Sequence, residues 1–422
     1  MATSQSISNV VDIIHRQNAD VAVVSAPGKR FTGDDKTTDL LFDCYDAFLK
    51  SGRCDVPFAK VENRIVELAE GVGVTGIKPY LDQIRHDINA GAGFGYTVSR
   101  GEFLSALLMR HLLSCEFIDA KEVIKFDIAG KIDLELSYQM IAERLRGCGR
   151  AVVPGYYGAM PGGEIKTFTR GGSDVSGAVV AAGAGAVEYQ NWTDVDGVYF
   201  CPLTDICSVV PALSYQEMRQ IAFLGGSVLH PDSLPPLMER GVEVRVKNTF
   251  NPAAAGTLIT GAEKAEFLRL EAAGGENKEN KTKTRAESLP VAVSGLSGFK
   301  LLSFYSAGSC GGDYAKKLFD LCKQRGAKVF TVASGVDRYE VVLSGETGRL
   351  TDCEGEQDIA VITVVRGDKN YIIRRICEWS KEFLFLQWAG EGGIILGVKK
   401  EEINNWLRFF CDMKYSNPVR EP

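Results

Sequence analysis

Residues 165–192 read IKTFTRGGSDVSGAVVAAGAGAVEYQNW. A strand-like run at 165–169 is followed by a glycine-rich turn, a helical stretch at 173–182 and a second strand-like run at 187–192. Earlier in the chain, the short apolar run at 21–25 (VAVVS) predicts a buried strand, and Ala26-Pro27-Gly28 closes it. Buried strands that alternate with helices predict an α/β fold with a parallel sheet, covered by helices on both faces.

Outward from these strands, most of the first 260 residues read as helix. Ile7, Val10, Val11 and Ile14 form one apolar stripe at helical spacing. Further helices are predicted at 36–50, 57–70, 78–89 and 100–113, and a strand at 151–156. A last group of helix and strand segments is predicted at 214–224, 231–240 and 242–246. A parallel βαβ unit needs a strand before its helix, yet the chain as given opens with a helix.

Composition narrows the class of protein. The chain has 422 residues, 45% hydrophobic and 24% charged, with a net charge of -6. These values predict two or three globular domains and argue against disorder, a nucleic-acid partner or a membrane span. Eleven cysteines without a CxxC pair predict reduced thiols in a cytoplasmic enzyme, and the four histidines lack the spacing of metal ligands.

The composition changes in the second half of the chain. Residues 276–287 (ENKENKTKTRAE) have one apolar side chain and predict a solvated linker. Beyond it, two strand–helix–strand–strand patterns indicate duplicated α+β modules. The predicted organisation is therefore a first domain at 1–262, a linker at 263–289 and two modules at 290–357 and 358–422.

The segment Thr169–Asp174 (TRGGSD) carries the sharpest chemical signal. Its paired glycines permit close backbone approach, and Ser173 and Asp174 stand at a helix start, which attracts anions. Arg170 can grip a carboxylate with two hydrogen bonds. The same residues also fit a tight turn followed by a helix cap, so local chemistry leaves both interpretations open.

Four other places in the sequence each have a functional and a simpler explanation. Residues 191–199 (NWTDVDGVY) follow a strand, where α/β sheets bind ligands, but they also fit a plain turn. Glu102, in 99–102 (SRGE), and Thr38 lie at helix starts, where they suit the dipole or a cap. The glycine-rich run 91–95 (GAGFG) predicts a mobile loop and not a dinucleotide site.

Taken in order, six segments resemble those of the aspartate kinases, a family of the amino acid kinase superfamily. They are VVSAPGKR at 23–30, SRGEFLSA at 99–106, TRGGSD at 169–174, WTDVDGVY at 192–199, VLHP at 228–231 and VKNTFNP at 246–252. The resemblance implies an amino acid kinase-like, mainly parallel sheet covered by helices. The two C-terminal modules are similar to the paired ferredoxin-like ACT domains of this family, which bind amino-acid effectors and mediate dimerisation.

The resemblance also implies an activity and its ligands. The reaction transfers phosphate from ATP, with Mg²⁺, to the side-chain carboxylate of L-aspartate, opening lysine, threonine and methionine biosynthesis. A carboxylate with a pKa of about 4 is already ionised, so the enzyme needs positioning and charge neutralisation but no base. The expected partners are L-aspartate, an amino-acid effector and a second copy of the chain in a homodimer or homotetramer, with no nucleic acid or membrane.

Site residues follow from the resemblance, position by position. The residues implied near the transferred phosphoryl group are Arg170, Gly171, Gly172 and Asp174. Those implied to bind aspartate are Thr38, Glu102, Arg170 and Ser173. The nucleotide pocket is implied to contain Thr193, Asp194, Tyr199 and Lys247, and the effector site Ser306 and Ser309. No resident metal site is implied.

The sequence departs from the family pattern in two places. Family members open with a strand and a Lys-Phe-Gly-Gly-[Thr/Ser]-Ser motif that contacts ATP, and here Met1 stands just after that position. We expect a misassigned start, with a genuine truncation as the rival explanation. Second, residues 200–205 (FCPLTD) replace an Asp-Pro-Arg whose arginine helps bind nucleotide.

Two alternatives to a feedback-regulated aspartate kinase stay open. The first is a catalytically impaired, ACT-containing regulator that binds amino acids. The second is a related kinase with another carboxylate acceptor. The effector itself is not named by the sequence. Lysine-type sites tend to show an acidic residue near the position where Phe330 stands.

Overall fold

The computed structural model describes residues 1–169, 171–201, 208–223, 228–272, 290–305, 328–334, 338–344, 355–367, 369–379, 381–389 and 393–415. The chain forms two compact units that are interleaved in sequence. The first comprises Met1–Gly197 and Val228–Ala265, and the second comprises Val198–Ser227 and Glu266–Pro422.

The first unit contains most of the helices. They are α1 (Ser4–Gln17), α2 (Thr37–Ser51), α3 (Asp55–Gly71), α4 (Lys78–Asn89), α5 (Phe94–Val98), α6 (Arg100–Leu113), α7 (Ala120–Val123), α8 (Leu134–Leu145) and α9 (Gly172–Gly183). In the second unit lies α10 (Tyr215–Phe223). The first unit then resumes with a 3₁₀ turn (Pro231–Ser233) and α11 (Leu234–Arg240), and α12 (Ala262–Ala272) spans the division between the units.

The first unit has two sheets with parallel pairing and a hairpin. Its strands are β1 (Val21–Val24), β2 (Glu116–Phe117), β3 (Ala151–Pro154), β4 (Tyr157–Ala159), β5 (Ile165–Thr167) and β6 (Glu188–Thr193). After β7 (Ala212–Ser214), which lies in the second unit, come β8 (Glu243–Asn248) and β9 (Thr257–Thr260). β3 pairs in parallel with both β1 and β2. β8 is parallel to β6 and antiparallel to β9, and β4 and β5 pair antiparallel.

The strand alternation divides the core of the first unit into two layers. Ala22, Val24 and Val152 pack with α2, α3, α4 and α6, whereas Ala151 and Val153 pack with α8 and α9 on the opposite face. Because successive strand residues point to opposite faces, an apolar strand needs cover on both sides. This two-sided cover is what the sequence predicts.

The second unit is built on one antiparallel sheet. After β7 and α10 its strands are β10 (Ala292–Tyr305), β11 (Lys328–Ser334), β12 (Arg338–Ser344), β13 (Gly355–Val365), β14 (Phe385–Ala389) and β15 (Gly393–Lys399), in the spatial order β11-β12-β10-β13-β15-β14. Helices α13 (Lys369–Glu378) and α14 (Ile403–Tyr415) follow β13 and β15, and a 3₁₀ turn (Lys400–Glu402) precedes α14. The predicted boundary at 357/358 falls inside β13, and the domain limits stay predictions.

Several element boundaries differ from the sequence prediction. Phe94 and Gly95, expected in a mobile loop, begin helix α5. The predicted linker starts at 263, yet helix α12 continues to Ala272. β10 begins at Ala292, whereas the sequence predicts its start at Phe299. The prediction is late because the small residues of its first half (AVSGLSG) give no clear strand pattern. The helix predicted at 312–325 lies outside the described residues.

Within the part of the chain that the structure describes, no helix combines the length and apolarity that a membrane span requires.

Candidate active site

The carboxyl ends of β1 and β3 lie side by side in the first unit. Val24 pairs with Pro154, and the Gly155 N–H donates to the Val24 carbonyl at 2.9 Å. The segments that continue from these ends, Ala26-Pro27 and Gly155-Tyr156, therefore face the same edge of the sheet. Ligands of open α/β sheets bind at this edge.

Glu102 is the buried acid at this edge. It lies in the first turn of α6, is 5% exposed, and accepts a hydrogen bond from the Ala26 backbone N–H. Among the described residues its Oε2 atom has no hydrogen-bond partner. Burial raises the pKa of Glu102 to about 8, against smaller lowering effects of backbone N–H groups and Arg100. Helix-dipole stabilisation alone does not explain a carboxylate that is desolvated to this extent.

The cation nearest in sequence, Arg100, is already engaged. Its guanidinium donates to the Tyr96 carbonyl and the Ser99 hydroxyl, and stacks 4.3 Å from the Tyr96 ring and 5.2 Å from the Tyr157 ring. Arg100 is 3% exposed. It therefore supports the start of α6 from inside the core and leaves Glu102 able to meet an external cation.

The start of α2 closes on the same place. A Cβ atom added to Gly101 would lie 2.7 Å from the Ala26 Cβ and 3.5 Å from the Thr37 Cγ2, so only glycine permits this approach. Thr37 is fully buried, and within the described residues its hydroxyl has no partner. Thr38, the predicted substrate contact, follows it and is half-buried.

The glycine turn of TRGGSD packs against the end of β3. A Cβ added to Gly172 would lie 2.5 Å from the Tyr156 ring, and one added to Gly155 would lie 2.8 Å from the Ser173 hydroxyl. Tyr156 has a left-handed backbone (φ 77°), and burial raises its pKa, with the Glu102 charge adding to the effect. Tyr156 thus lies against the start of α9 and within range of the Glu102 charge.

Asp174 does not cap its own helix. Gly171 is the N-cap of α9, in a left-handed conformation (φ 58°), and no side chain caps the helix. The Asp174 carboxylate instead accepts from the His230 backbone N–H at 3.2 Å, and burial raises its pKa. The cap interpretation of Ser173 and Asp174 is therefore wrong, and the first N–H groups of α9 keep their usual capacity for an anion.

The ends of β6 and β8 form a second group in the same unit. The Asp194 backbone N–H donates to the Thr193 hydroxyl at 2.6 Å, and that hydroxyl donates to the Asp194 Oδ1 at 3.0 Å. Lys247 pairs opposite Trp192, and its Nζ lies 5.4 Å from the centre of that ring. This cation–π contact is a structural use of Lys247, and its predicted phosphate contact stays a prediction.

The structure brings some predicted residues together and leaves others apart. Glu102, Gly172 and Ser173 border the β1–β3 edge through the contacts given above. Thr38 follows Thr37 there, and Gly171 and Asp174 belong to the same turn at the start of α9. Thr193, Asp194 and Lys247 lie at the β6–β8 edge, and Tyr199 belongs to the second unit. Arg170, Ser306 and Ser309 lie outside the described residues. Phe330, noted at the effector position, packs 5.0 Å from the Phe299 ring.

Tyr156, Ala26 and His230 contribute to the site but were not predicted there. Ala26 follows a predicted strand and Tyr156 is the last residue of another, positions that could have indicated them. Nothing local marks His230, because its backbone reaches Asp174 from 56 residues further along the chain. In the described part of the chain, no group of three or more His, Cys, Asp or Glu side chains is arranged to hold a metal ion.

Comparison with known proteins identifies the family. The sequence model of the amino acid kinase family matches residues 1–248. Aspartokinase 3 of Bacillus subtilis (strain 168) is 30% identical over 279 residues, which are 61% of this chain and 61% of that protein. The chain thus matches about three fifths of the length of this relative.

Solved structures extend the similarity to the whole chain. The aspartate kinase of Clostridium acetobutylicum is 27% identical, with a TM-score of 0.84 over 98% of this chain and 97% of its own. For E. coli aspartokinase III, solved with lysine and aspartate, the identity is 19% and the TM-score 0.77, with the same shares covered. The chain therefore belongs to the amino acid kinase family, and both the resemblance to aspartate kinases and the predicted fold class are confirmed.

Proposed function

We propose that this chain is an aspartate kinase that forms 4-phospho-L-aspartate, the first step of lysine, threonine and methionine biosynthesis. One observation carries the proposal: a buried Glu102 carboxylate, with one oxygen unpartnered among the described residues, faces the sheet edge beside the start of α9. An amino-acid ammonium group has the charge and hydrogen-bonding capacity to satisfy that oxygen. The similarity to the aspartate kinases of Bacillus subtilis and Clostridium acetobutylicum supports aspartate as the substrate.

The chemistry asks mainly for positioning. The side-chain oxygen of aspartate attacks the γ-phosphorus of ATP, one P–O bond forms, and the bond to the ADP oxygen breaks. Since the attacking carboxylate is already ionised, no proton has to be removed, and the task is to bring two anions together. The N–H groups at the start of α9 are suited to the charge on the transferred phosphoryl group. Arg170, next to Gly171 in sequence, would hold a carboxylate of the substrate.

ATP enters this proposal through the family, and Mg²⁺ through the chemistry of ATP. Mg²⁺ usually binds through substrate phosphates and one or two carboxylates, and seldom through an all-protein cage. Thr193, Asp194, Tyr199 and Lys247 remain the proposed nucleotide contacts.

Regulation and assembly remain part of the proposal. The antiparallel sheet of the second unit provides the ACT-like framework on which an amino-acid effector and a homodimer or homotetramer contact are expected. Ser306 and Ser309 stay predicted effector contacts, and a cytoplasmic location stays a prediction.

The test is ATP- and Mg²⁺-dependent acyl phosphate formation, trapped with hydroxylamine as the hydroxamate. We expect hydroxamate from L-aspartate and none from L-glutamate. Glu102→Gln should reduce kcat/KM for aspartate by about 100-fold or more, because it removes a charge that orients the substrate. Glu135→Gln, which changes an exposed carboxylate on α8, is the matched control and should leave the rate unchanged.

Each contrary result selects an alternative. Hydroxamate from glutamate and not from aspartate would indicate a kinase with another acceptor. No hydroxamate from any amino acid, together with calorimetric binding of an amino acid, would indicate the regulator.

A further inference from the structure

The loop between β1 and α2 contains a buried acid where burial is least expected. From Lys29 to Lys36 every residue is exposed except Asp34, which is 9% exposed. A charged carboxylate is costly to bury unless other groups pair with it. The groups that pair with Asp34 therefore show which parts of the structure hold the loop in place.

Asp34 is fastened to α3. Arg64, which is 4% exposed, donates from Nη2 to the Asp34 Oδ2 at 2.6 Å and from Nη1 to the Asp35 carbonyl at 2.5 Å. One guanidinium group thus holds both the side chain and the backbone of the loop. Two-pronged contacts of this kind fix geometry as well as distance.

Asp34 is also fastened within the loop. Arg30 donates its backbone N–H and its Nε to the Asp34 Oδ2, at 2.9 Å and 3.0 Å, and its Nη2 to Oδ1 at 3.2 Å. These bonds from Arg30, together with the charge of Arg64, hold the pKa of Asp34 well below its usual range. We call Arg30, Asp34 and Arg64 the loop clamp.

Both ends of the clamped loop lie at the candidate active site. At its start, Ala26 packs against the first turn of α6, because a Cβ added to Gly101 would lie 2.7 Å from the Ala26 Cβ, and the Ala26 N–H donates to Glu102. At its end, the Thr37 N–H donates to the Pro27 carbonyl at 3.2 Å, which brings the two ends of the loop together. A shift of the loop would therefore move the backbone that orients Glu102 and the start of α2 that carries Thr38.

Stability alone does not account for the clamp. Helix α3 is anchored by the buried side chains Phe58, Val61, Ile65 and Leu68. A buried ion pair often adds little net stability, because desolvation offsets the attraction. In some proteins such a pair instead fixes one arrangement of the groups that it joins.

We infer that the loop clamp is a positioning device for the amino-acid side of the active site, so that Asp34 and Arg64 set the affinity for the carboxylate substrate and not for the nucleotide. This inference rests on the proposed function. It predicts a split between the two substrates that a purely structural role would not produce.

The test compares two ion pairs of the same helix. Asp34→Asn keeps the shape of the side chain but removes the charge of the clamp. Glu62→Gln, also on α3, removes the partner of Arg85 (3.2 Å) away from the loop and is the matched control. We expect Asp34→Asn to raise KM for aspartate by about tenfold while KM for ATP changes by less than about twofold, and the control to change neither.

A second variant guards against a folding defect. Arg64→Lys keeps the charge but loses the two-pronged contact, and should raise KM for aspartate in the same direction. An unchanged KM for aspartate in both variants, or equal changes in the KM of both substrates, would overturn the inference.

Proteolysis tests the clamp without any activity. Lys29, Arg30 and Lys36 are exposed trypsin sites on the loop, and we expect cleavage there to be at least about tenfold faster in Asp34→Asn than in the wild type or Glu62→Gln. Equal digestion rates would overturn the clamp. A wild-type chain that forms no aspartyl hydroxamate would instead refute the proposed function, and the digestion rates would then decide on the clamp independently.

Discussion

At the scale of single residues, the charge state of Glu102 connects stability with substrate binding. Its pKa is about 8 in the folded protein and near 4.5 in the unfolded chain. Between these values the folded state holds a proton that the unfolded state has released, so stability falls as the pH rises. The loss is about 1.4 kcal/mol for each pH unit in this window.

We therefore predict that Glu102→Gln is more stable than the wild type at pH 8 and that the difference shrinks toward pH 5. The amide stays neutral, so it carries no cost of ionisation. Thermal unfolding of both proteins between pH 5 and pH 8 measures the difference. Parallel pH profiles would show that Glu102 titrates normally in the folded protein.

The same ionisation predicts how affinity depends on pH. Because the charged carboxylate attracts an ammonium group, KM for aspartate should fall as the pH rises from 6 to 8 in the wild type. Glu102→Gln should lack this dependence while remaining weakly active. Hydroxamate assays at saturating ATP provide the measurement, and a similar slope in the variant would assign the pH effect to another group.

Gly171 is the second residue for which we make a prediction. Its left-handed backbone (φ 58°) disfavours other residues, and a Cβ there would lie 2.3 Å from the His230 ring. Gly171→Ala should therefore displace His230 or the start of α9 and reduce kcat strongly, with a stability loss of about 1–3 kcal/mol. Gly162→Ala, which meets no atom within 4 Å, is the control. Wild-type kcat in Gly171→Ala would remove α9 from the catalytic machinery.

At the scale of secondary structure, prediction from the sequence succeeded where the local pattern is complete. The stripe of α1 places Ile7 and Ile14 in the core, and Ser214 and Glu217 form the hydrogen bonds of a capping box at the start of α10. Helix α8 was missed although Asp133 caps it and Tyr138 and Ile141 are buried on one face. The signal for this helix is therefore present in the local sequence.

The site was only partly predictable, for a physical reason. The helix starts and glycines of TRGGSD are local features, and the resemblance added their roles. The burial of Glu102 and the left-handed backbone of Tyr156 depend on how distant segments pack, which no window of sequence contains. Propensity therefore located the elements, while tertiary contacts determined the electrostatics.

One prediction belongs to helix α10. Burial alone would raise the pKa of Glu217, but Arg269, the Ser214 N–H and Arg366 outweigh it and lower the pKa. Its bonds to Arg269 and Arg366 measure 2.9 Å and 3.2 Å. Glu217→Gln should cost about 3 kcal/mol at neutral pH, because Arg269 loses its carboxylate partner and Arg366 keeps only Glu266.

The stability that Glu217 contributes depends on pH. A lowered pKa means that the contribution of Glu217 is present above the unfolded value of about 4.5 and is lost as the pH falls through the folded value. The difference between variant and wild type should therefore shrink below pH 4. Glu378→Gln, which alters an exposed pair with Arg375, should leave the unfolding midpoint nearly unchanged. An equal effect of both variants would mean that the Glu217 network contributes nothing specific.

At the scale of the whole chain, the second unit includes a segment that lies near the end of the kinase-family match. Residues 198–227 group with 266–422. Within this unit the Val293 N–H donates to the Phe200 carbonyl at 2.7 Å, and Arg366 binds Glu217. The C-terminal sheet is therefore part of the folding environment of this segment as well as a predicted regulatory module.

We predict that a chain shortened to residues 1–272 loses activity and unfolds at a lower temperature than the full chain. It would leave the Phe200 carbonyl and one side of Glu217 without their partners and uncover the buried Met218 and Ile221 of α10. The control is a full chain cut at a protease site inserted between residues 276 and 287, which keeps Val293 and Arg366 in the protein and should stay active. If the shortened chain matches the cut chain in activity and in the midpoint of thermal unfolding, residues 198–227 fold without the sheet. If only the cut chain is active, the sheet is required to hold that segment, including Tyr199, in a folded state.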